Sequence, residues 1–306
     1  MKTKLLIEQH IHGAFGIDFN KASVEEIVFV SKELLKYGIG GYFPTLVTDS
    51  VQNLKSQIAK IKEAASKLRI DCAEILGIHL EGDFINVEKK GIHNYEHFLP
   101  LTVDNFKLLE DDFIKIVTLA PELDEGLIDY LKEKNIKVQA GHCMGGNLDD
   151  CTGVTHLFNA MKGISHRGNS TALSALINDN IYTEIIADGV HLSDEVVKLI
   201  FKAKPFNRII LISDALPITH SSKKAIVFAD EKIYYDGIKA TSSDGTIAGS
   251  TTLLDKIIKN LGKKDLFTVQ LINNVYDYHG ISIDGEIEWD ENYDIVSIKK
   301  GDYCAK

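Results

Sequence analysis

Two histidines separated by one residue, His10 and His12, stand at the end of the short apolar run LLIEQHI. Alternate residues of a strand face the same side, so the two imidazoles can converge on one ion. By itself the pair reads equally well as two polar residues on a solvated strand end. Glu81, His142, His156 and Asp214 stand at the ends of four further runs, EILGIHL, IKVQAG, GVTHLF and RIILISD. Taken singly, each reads as a salt-bridged or capping acid or as a satisfied core histidine. Their recurrence at the same end of separate runs points instead to one or two divalent ions held by imidazole and carboxylate. Such an ion lowers the pKa of bound water and polarises a carbonyl, and Asp214 could carry a proton from that water to a leaving group. The set suggests hydrolysis, because no thiolate cage or flavin-type loop accompanies it. Zinc is favoured as the ion, with iron, manganese or cobalt as alternatives.

For these residues to meet, the runs that carry them must lie side by side. Eight strand-like runs, among them GYFPTLV, IKIVTLA and IYTEIIA, are mostly separated by amphipathic helical segments. The alternation predicts a (β/α)8 barrel, whose catalytic groups come from the C-terminal strand ends. A doubly wound open sheet is the rival, yet no G-x-G-x-x-G follows the first run. SVEEIVFVSKELLKYG reads as a helix with a capping box in Ser23 and Glu26, a second helix is expected from about Ser50 to Leu68, and SDEVVKLIFKAK is capped by Ser193. KAIVFADEKIYYDGIKAT alternates with period two around a D-G turn and predicts a hairpin inserted after the eighth strand. STTLLDKIIKNLG is the expected closing helix, with Gly262 as its stop. Residues 1–280 are read as the barrel, and the strand-like pieces of 281–306 as a small β tail. His79 is placed beneath Glu81, Cys143 in packing, and His97, His220 and His279 on the surface.

The bulk composition narrows the partners. The chain has 306 residues, 44% of them hydrophobic, enough for a large core, and a formal net charge of -10. With a pI near 5.6, its general field repels nucleic acid and anionic membranes. No run approaches the roughly 18 apolar residues of a membrane span, and the opening MKTKLLIEQHIHG is too short and too polar for a signal peptide. Four cysteines without a C-x-x-C pair read as reduced thiols of a cytoplasmic protein. Against that acidic background, Asn159, Ala160, Lys162, His166 and Arg167 follow His156 within one loop. Such a loop can offer backbone N–H groups and a guanidinium fork to an anion, of which phosphate is the best match. An exposed basic loop is the plainer reading. His93 ends the insertion EGDFINVEKKGIHN and is either a partner for a substrate carbonyl or a surface histidine.

The blocks GIHLEGDFINVEKKGIHN, VTLAPE, AGHCMG, GVTHLFNAM, EIIADGVHL, LISDAL and GTIAGSTTLLDKIIKNL resemble, in order, those of N-acetylglucosamine-6-phosphate deacetylases of the amidohydrolase superfamily. The resemblance runs from about Leu6 to Leu261. It implies that Glu81, His142 and His156 hold the principal metal ion and that His10 and His12 match a pair which some members use for a second ion. It also implies that Asp214 is the catalytic acid and base, that His93 polarises the acetamide carbonyl, and that His191 contacts the sugar. Asn159 and Ala160 match the phosphate loop, and Arg167 matches an arginine that reaches the phosphate from the neighbouring subunit of a homodimer. The implied reaction is hydrolysis of the acetamide of N-acetylglucosamine-6-phosphate, with an epimeric hexosamine or another amide or cyclic amide as the alternative. A sugar-phosphate sensor that had kept the pocket would have no need of Asp214. The chain departs from the family at Asp83, where proline is usual, at Arg167-Gly168-Asn169 in place of R-E-P-G, and at NNVYDYHG in place of a late N-P-A. The β-sandwich domain usual in the family is expected to be missing or reduced to the tail.

Overall fold

The structure is a computed structural model that describes residues 1–305. Its central sheet runs in chain order through β1 (Leu6–Ile11), β2 (Ile39–Leu46), β3 (Ile78–Phe84), β4 (Ile114–Leu119), β5 (Lys137–Ala140), β6 (Gly153–Val154), β7 (Tyr182–Ile185) and β8 (Ile209–Leu211). Each neighbouring pair is parallel. The residues after β8 close the circle on β1, where the Asp214 N–H donates to the His10 carbonyl at 3.0 Å and Ile11 pairs in parallel with Ala215. This is a (β/α)8 barrel, as the alternation of runs predicts.

Helices α1 (Val24–Leu35) and α2 (Val51–Lys67) occupy the first two crossovers, and α3 (Val103–Lys107) and α4 (Leu127–Glu133) the next two. α5 (Thr171–Ile177) and α6 (Asp194–Ala203) precede β7 and β8, whereas among the described residues no helix joins β5 to β6. The start of α1 is set locally: the Ser23 side chain accepts from the Glu26 N–H while the Glu26 carboxylate accepts from the Ser23 N–H at 2.8 Å. A cap of this kind stabilises a helix by about 1 kcal/mol, and burial of Ile27, Val30 and Leu34 on one face holds it to the sheet.

Three features differ from the sequence expectation, and the NNVYDYHG segment, to which the sequence reading assigns no element, is a helix. Gly262 is the last residue of α7 (Leu254–Gly262) and not its stop; a Cβ there would lie 2.4 Å from the Tyr293 ring, so glycine meets a packing need. The NNVYDYHG segment forms α8 (Gln270–His279), ended by Gly280 in the left-handed conformation. From α8 the Tyr276 hydroxyl donates to the Leu5 carbonyl at 2.7 Å and the Asn274 amide to the Ile209 carbonyl at 2.7 Å, so the helix clamps the seam between β1 and β8. His279 is therefore not a surface group: it stacks on Phe43 and meets the Gln9 side chain at 2.9 Å. The hairpin after β8 is a four-stranded meander, Ala225–Phe228, Glu231–Tyr235, Ala240–Thr241 and Ile247–Gly249. Its first turn is Ala229-Asp230, both at positive φ, and the D-G pair makes the second.

In the tail, Glu286–Trp289, Ile295–Lys300 and Tyr303–Ala305 form an antiparallel sheet whose fourth strand is Lys2–Lys4. The Trp289 indole N–H donates to the Thr3 hydroxyl at 2.9 Å and is buried against it. No helix among the described residues is long and apolar enough to cross a membrane.

Candidate active site

The interior of the barrel is polar. His79 meets Thr118 at 2.7 Å, Thr118 meets Thr155 at 2.7 Å, and the Thr155 hydroxyl donates to Gln139 at 3.2 Å, all of them buried. Burial pushes the His79 pKa down to about 3, so the ring is neutral. Above this floor, at the C-terminal ends of the strands, the residues singled out by type and position come together. His10 and His12 project from β1 with their Nε2 atoms 3.3 Å apart. The His142 and His156 Nε2 atoms, carried past β5 and β6, are 3.1 Å apart. Glu81 stands between the pairs, with Oε1 at 2.9 Å from His156 Nε2 and 3.3 Å from His142 Nε2, and Oε2 at 3.1 and 3.2 Å from those of His10 and His12. Asp214 Oδ1 lies 3.0 Å from His12 Nε2 and 3.4 Å from His10 Nε2.

Local backbone irregularities aim these groups. A register shift between Glu8 and Ile11 marks a bulge in β1, and it turns both Gln9 and His10 toward Glu184 on β7. A second shift follows Glu81, where Gly82 has φ +128° and a Cβ would lie 2.2 Å from Thr48 Oγ1. His142, His156 and Asp214 all sit at positive φ, 47°, 29° and 52°, a region costly for residues with side chains and typical of functional sites.

The protonation pattern fits a metal ion. Nδ1 of His142 is 2.8 Å from the Lys89 carbonyl and Nδ1 of His12 is 3.3 Å from that of Thr45. A carbonyl only accepts, so each Nδ1 carries the proton and each Nε2 turns a lone pair inward. Nδ1 of His10 faces Glu184 Oε2 at 3.2 Å with the same result. Four Nε2 atoms thus converge on two carboxylates, and for His10, His12 and His142 the Nδ1 partner leaves Nε2 as the nitrogen that can exchange a proton for a cation. Ligands around a tetrahedral ion at zinc-like bond lengths stand about 3.3 Å apart, which is the spacing here. Burial alone would lower the His12 pKa, but hydrogen bonds to Asp214 and Glu81 outweigh it and raise it to about 9. Conversely, burial would raise the Glu81 and Asp214 carboxyls, and the charge of His10 leads the effects that hold both below the usual range.

A cleft of about 250 Å³ opens above this centre and is lined by His12, Glu81, His93, His142, His156 and Asp214 together with Asn159, Ala160 and His191. Nδ1 of His93 is 2.8 Å from the Thr48 hydroxyl. With that hydroxyl as donor, the opposite Nε2–H is left for the cleft. Burial, reinforced by His142, holds His93 well below its ordinary pKa, hence neutral. His191 is anchored through Nδ1 to Asp188 at 2.8 Å, and Asn159 donates to the His156 carbonyl at 3.2 Å. Arg167 and His166 are exposed and do not line the cleft; the cation that does is Lys89. The inserted meander roofs one side, with Phe228 at 5.3 Å from the His12 ring and Ile247 and Ala248 on the wall.

Several residues of the site carry no sequence signal that marks them out. Glu184 lies in the middle of the run IYTEIIA, Thr48 in a plain strand end, and Lys89 in a charged loop. Glu8 accepts from the His10 and Ser213 N–H groups at 3.1 and 3.0 Å, and burial pushes its pKa up to about 8. Asp83 is buried with neither carboxylate oxygen hydrogen-bonded among the described residues, and burial holds it well above the usual range.

No protein-family model matches the chain. It is 35% identical over 259 residues to the N-acetylglucosamine-6-phosphate deacetylase of Bacillus subtilis, covering 80% of this chain and 65% of that protein. The bovine N-acetylglucosamine-6-phosphate deacetylase is 30% identical over 277 residues, covering 83% of this chain and 67% of that protein. The chain thus spans about two thirds of the length of these relatives. The crystal structure of the Thermotoga maritima N-acetylglucosamine-6-phosphate deacetylase superposes with a TM-score of 0.90 at 26% identity, covering 98% of this chain and 87% of the other. The chain belongs to the N-acetylglucosamine-6-phosphate deacetylase family.

Proposed function

We propose that the protein hydrolyses the acetamide of N-acetylglucosamine-6-phosphate to glucosamine-6-phosphate and acetate. The observation that carries this reading is the convergence of four Nε2 atoms on Glu81 and Asp214 beneath a cleft reached by His93. Glu81, His142 and His156 would hold one divalent ion and His10, His12 and Asp214 a second, with zinc favoured. When bound, the metal acts as a Lewis acid on the carbonyl and acidifies water. Asp214, kept ionised by its histidine neighbours, takes a proton from the attacking water and delivers it to the departing nitrogen. His93 donates from Nε2 to the carbonyl oxygen as negative charge grows there. His191 is assigned to the sugar, and Asn159 with Ala160 to the phosphate.

The family resemblance assigns Arg167 to the phosphate of a neighbouring subunit in a homodimer, and its exposed position outside its own cleft supports that reading. A cytoplasmic setting is supported by four free cysteines. The barrel of residues 1–280 and the tail of residues 281–306, whose last residue lies outside the described ones, are taken as its two units. Acetate release from N-acetylglucosamine-6-phosphate, beside the unphosphorylated sugar, is the test. Turnover of the phosphate ester alone is expected; equal turnover of both sugars would remove the phosphate role of the loop. A galactosamine preference would favour the other specificity represented among the relatives, N-acetylgalactosamine-6-phosphate deacetylase of Escherichia coli at 26% identity.

A further inference from the structure

We propose that Glu184 is the positioning residue that gives the His10–His12 half of the centre its affinity for an ion, an inference that rests on the two-ion reading above. Glu184 is 1% exposed and lies on β7, separated from β1 around the barrel only by β8. Its Oε1 accepts from the Gln9 amide at 2.5 Å, and its Oε2 meets His10 Nδ1 at 3.2 Å and accepts from the His156 N–H at 3.2 Å. One carboxylate therefore touches a ligand residue of each half. It touches them unequally, because it holds the imidazole of His10 but only the backbone of His156, whose own Nδ1 is buried without a hydrogen-bond partner among the described residues.

His10, His79 and Glu184 have ligand atoms within 4.8 Å of one another, which raises the question whether Glu184 is itself a ligand. The hydrogen bonds answer it. His79 uses Nδ1 on the Gln9 carbonyl at 3.1 Å and Nε2 on Thr118, so neither nitrogen is open. His10 has one nitrogen on Glu184 and the other among Glu81, His12 and Asp214, so only Nε2 can reach an ion held there. Glu184 acts from behind. A carboxylate on Nδ1–H fixes the tautomer and ring direction and makes Nε2 a stronger donor, and loss of such a partner costs about 10–100-fold in metal affinity. His12 and His142 lean on neutral carbonyls instead, so His10 is the imidazole of the four that a full charge backs. The bulge in β1 serves this contact, since a regular strand would point Gln9 and His10 to opposite faces.

The test is metal uptake by the full chain, stripped of metal and titrated with Zn²⁺ or Co²⁺, read by elemental stoichiometry and the Co²⁺ absorption spectrum. Wild type is expected to take two ions. Glu184→Gln should keep one at wild-type affinity and bind the other about 10–100-fold more weakly, and Gln9→Ala should weaken it less. An E184Q variant that binds both ions within twofold of wild type overturns the proposal, as does a wild type that takes a single ion. A wild type with two ions that releases no acetate faults the substrate reading and leaves this inference standing. Should E184Q not fold, ¹⁵N-histidine NMR of the wild type decides: a hydrogen-bonded Nδ1–H on His10 supports the assignment, and the Nε2–H tautomer overturns it.

Discussion

The two imidazole pairs reach the centre by different backbones. His10 and His12 lie at the end of an extended strand, two residues apart, buried to 0% and 3% exposure, and Asp214 and Glu81 surround their Nε2 atoms. His142 and His156 lie 14 residues apart, each beyond a strand end and each in the left-handed region of backbone space. The first pair is held from behind by the Glu184 carboxylate and the Thr45 carbonyl; in the second, His142 rests on a loop carbonyl and His156 Nδ1 has no partner among the described residues. A bulged strand end thus fixes ligand geometry through bonded partners, whereas a loop fixes it through residues held at positive φ.

Mutations can break this comparison at several strengths. Asp214 faces the first pair and is the proton carrier of the proposed reaction, so Asp214→Asn should cut kcat by about 10²–10⁴ while the protein still binds metal at the second pair. Steady-state kinetics with elemental analysis measures both; a fully active variant would refute the mechanism. Replacing one ligand from each pair sharpens the contrast. His156→Ala should abolish both the ion bridged to His142 and turnover, whereas His12→Ala should remove only the other ion, each by more than the roughly 100-fold that loss of an outer hydrogen bond reaches. Equal loss of both ions in either variant would show that the halves are not separable.

Protons supply a gentler probe. In the ion-free protein His12 has a pKa of about 9, above the ordinary 6.5, so below pH 9 a proton sits where the ion must bind. Ion affinity of this half should therefore rise with pH by about tenfold per unit for each proton displaced, and the His12 contribution should level off above pH 9. Competition titrations with a buffered chelator between pH 6.5 and 9.5 would show the slope, and a flat profile would contradict the charge network. The smallest effect is expected one step from the chemistry. Thr48→Val removes the hydroxyl that holds His93, and the loss of one hydrogen bond of about 0.5–1.5 kcal/mol should lower kcat about 3–10-fold with metal content unchanged.

Much of this was readable from residue order alone. Period-two and period-3.6 patterns reflect which side of an element is buried, so the eight strands, the capping box at Ser23 and Glu26, and the cap at Ser193 follow from local chemistry. Metal-ligand residue types at the ends of those strands follow as well, because a parallel barrel places all such ends on one face. What no local pattern contains is the pairing between distant segments. Glu184 reads as one more residue of an apolar run until β7 is closed against the bulge of β1, and Thr48 matters only because Gly82 lets His93 approach it. The position of α8, the strand that Lys2–Lys4 adds to the tail sheet, and the roofing meander depend likewise on partners more than 100 residues away or on packing against the mouth. Sequence periodicity reports burial one element at a time. Which buried polar groups share a hydrogen bond is decided only when the barrel closes, and there the tertiary structure settled which nitrogen of each histidine faces the centre.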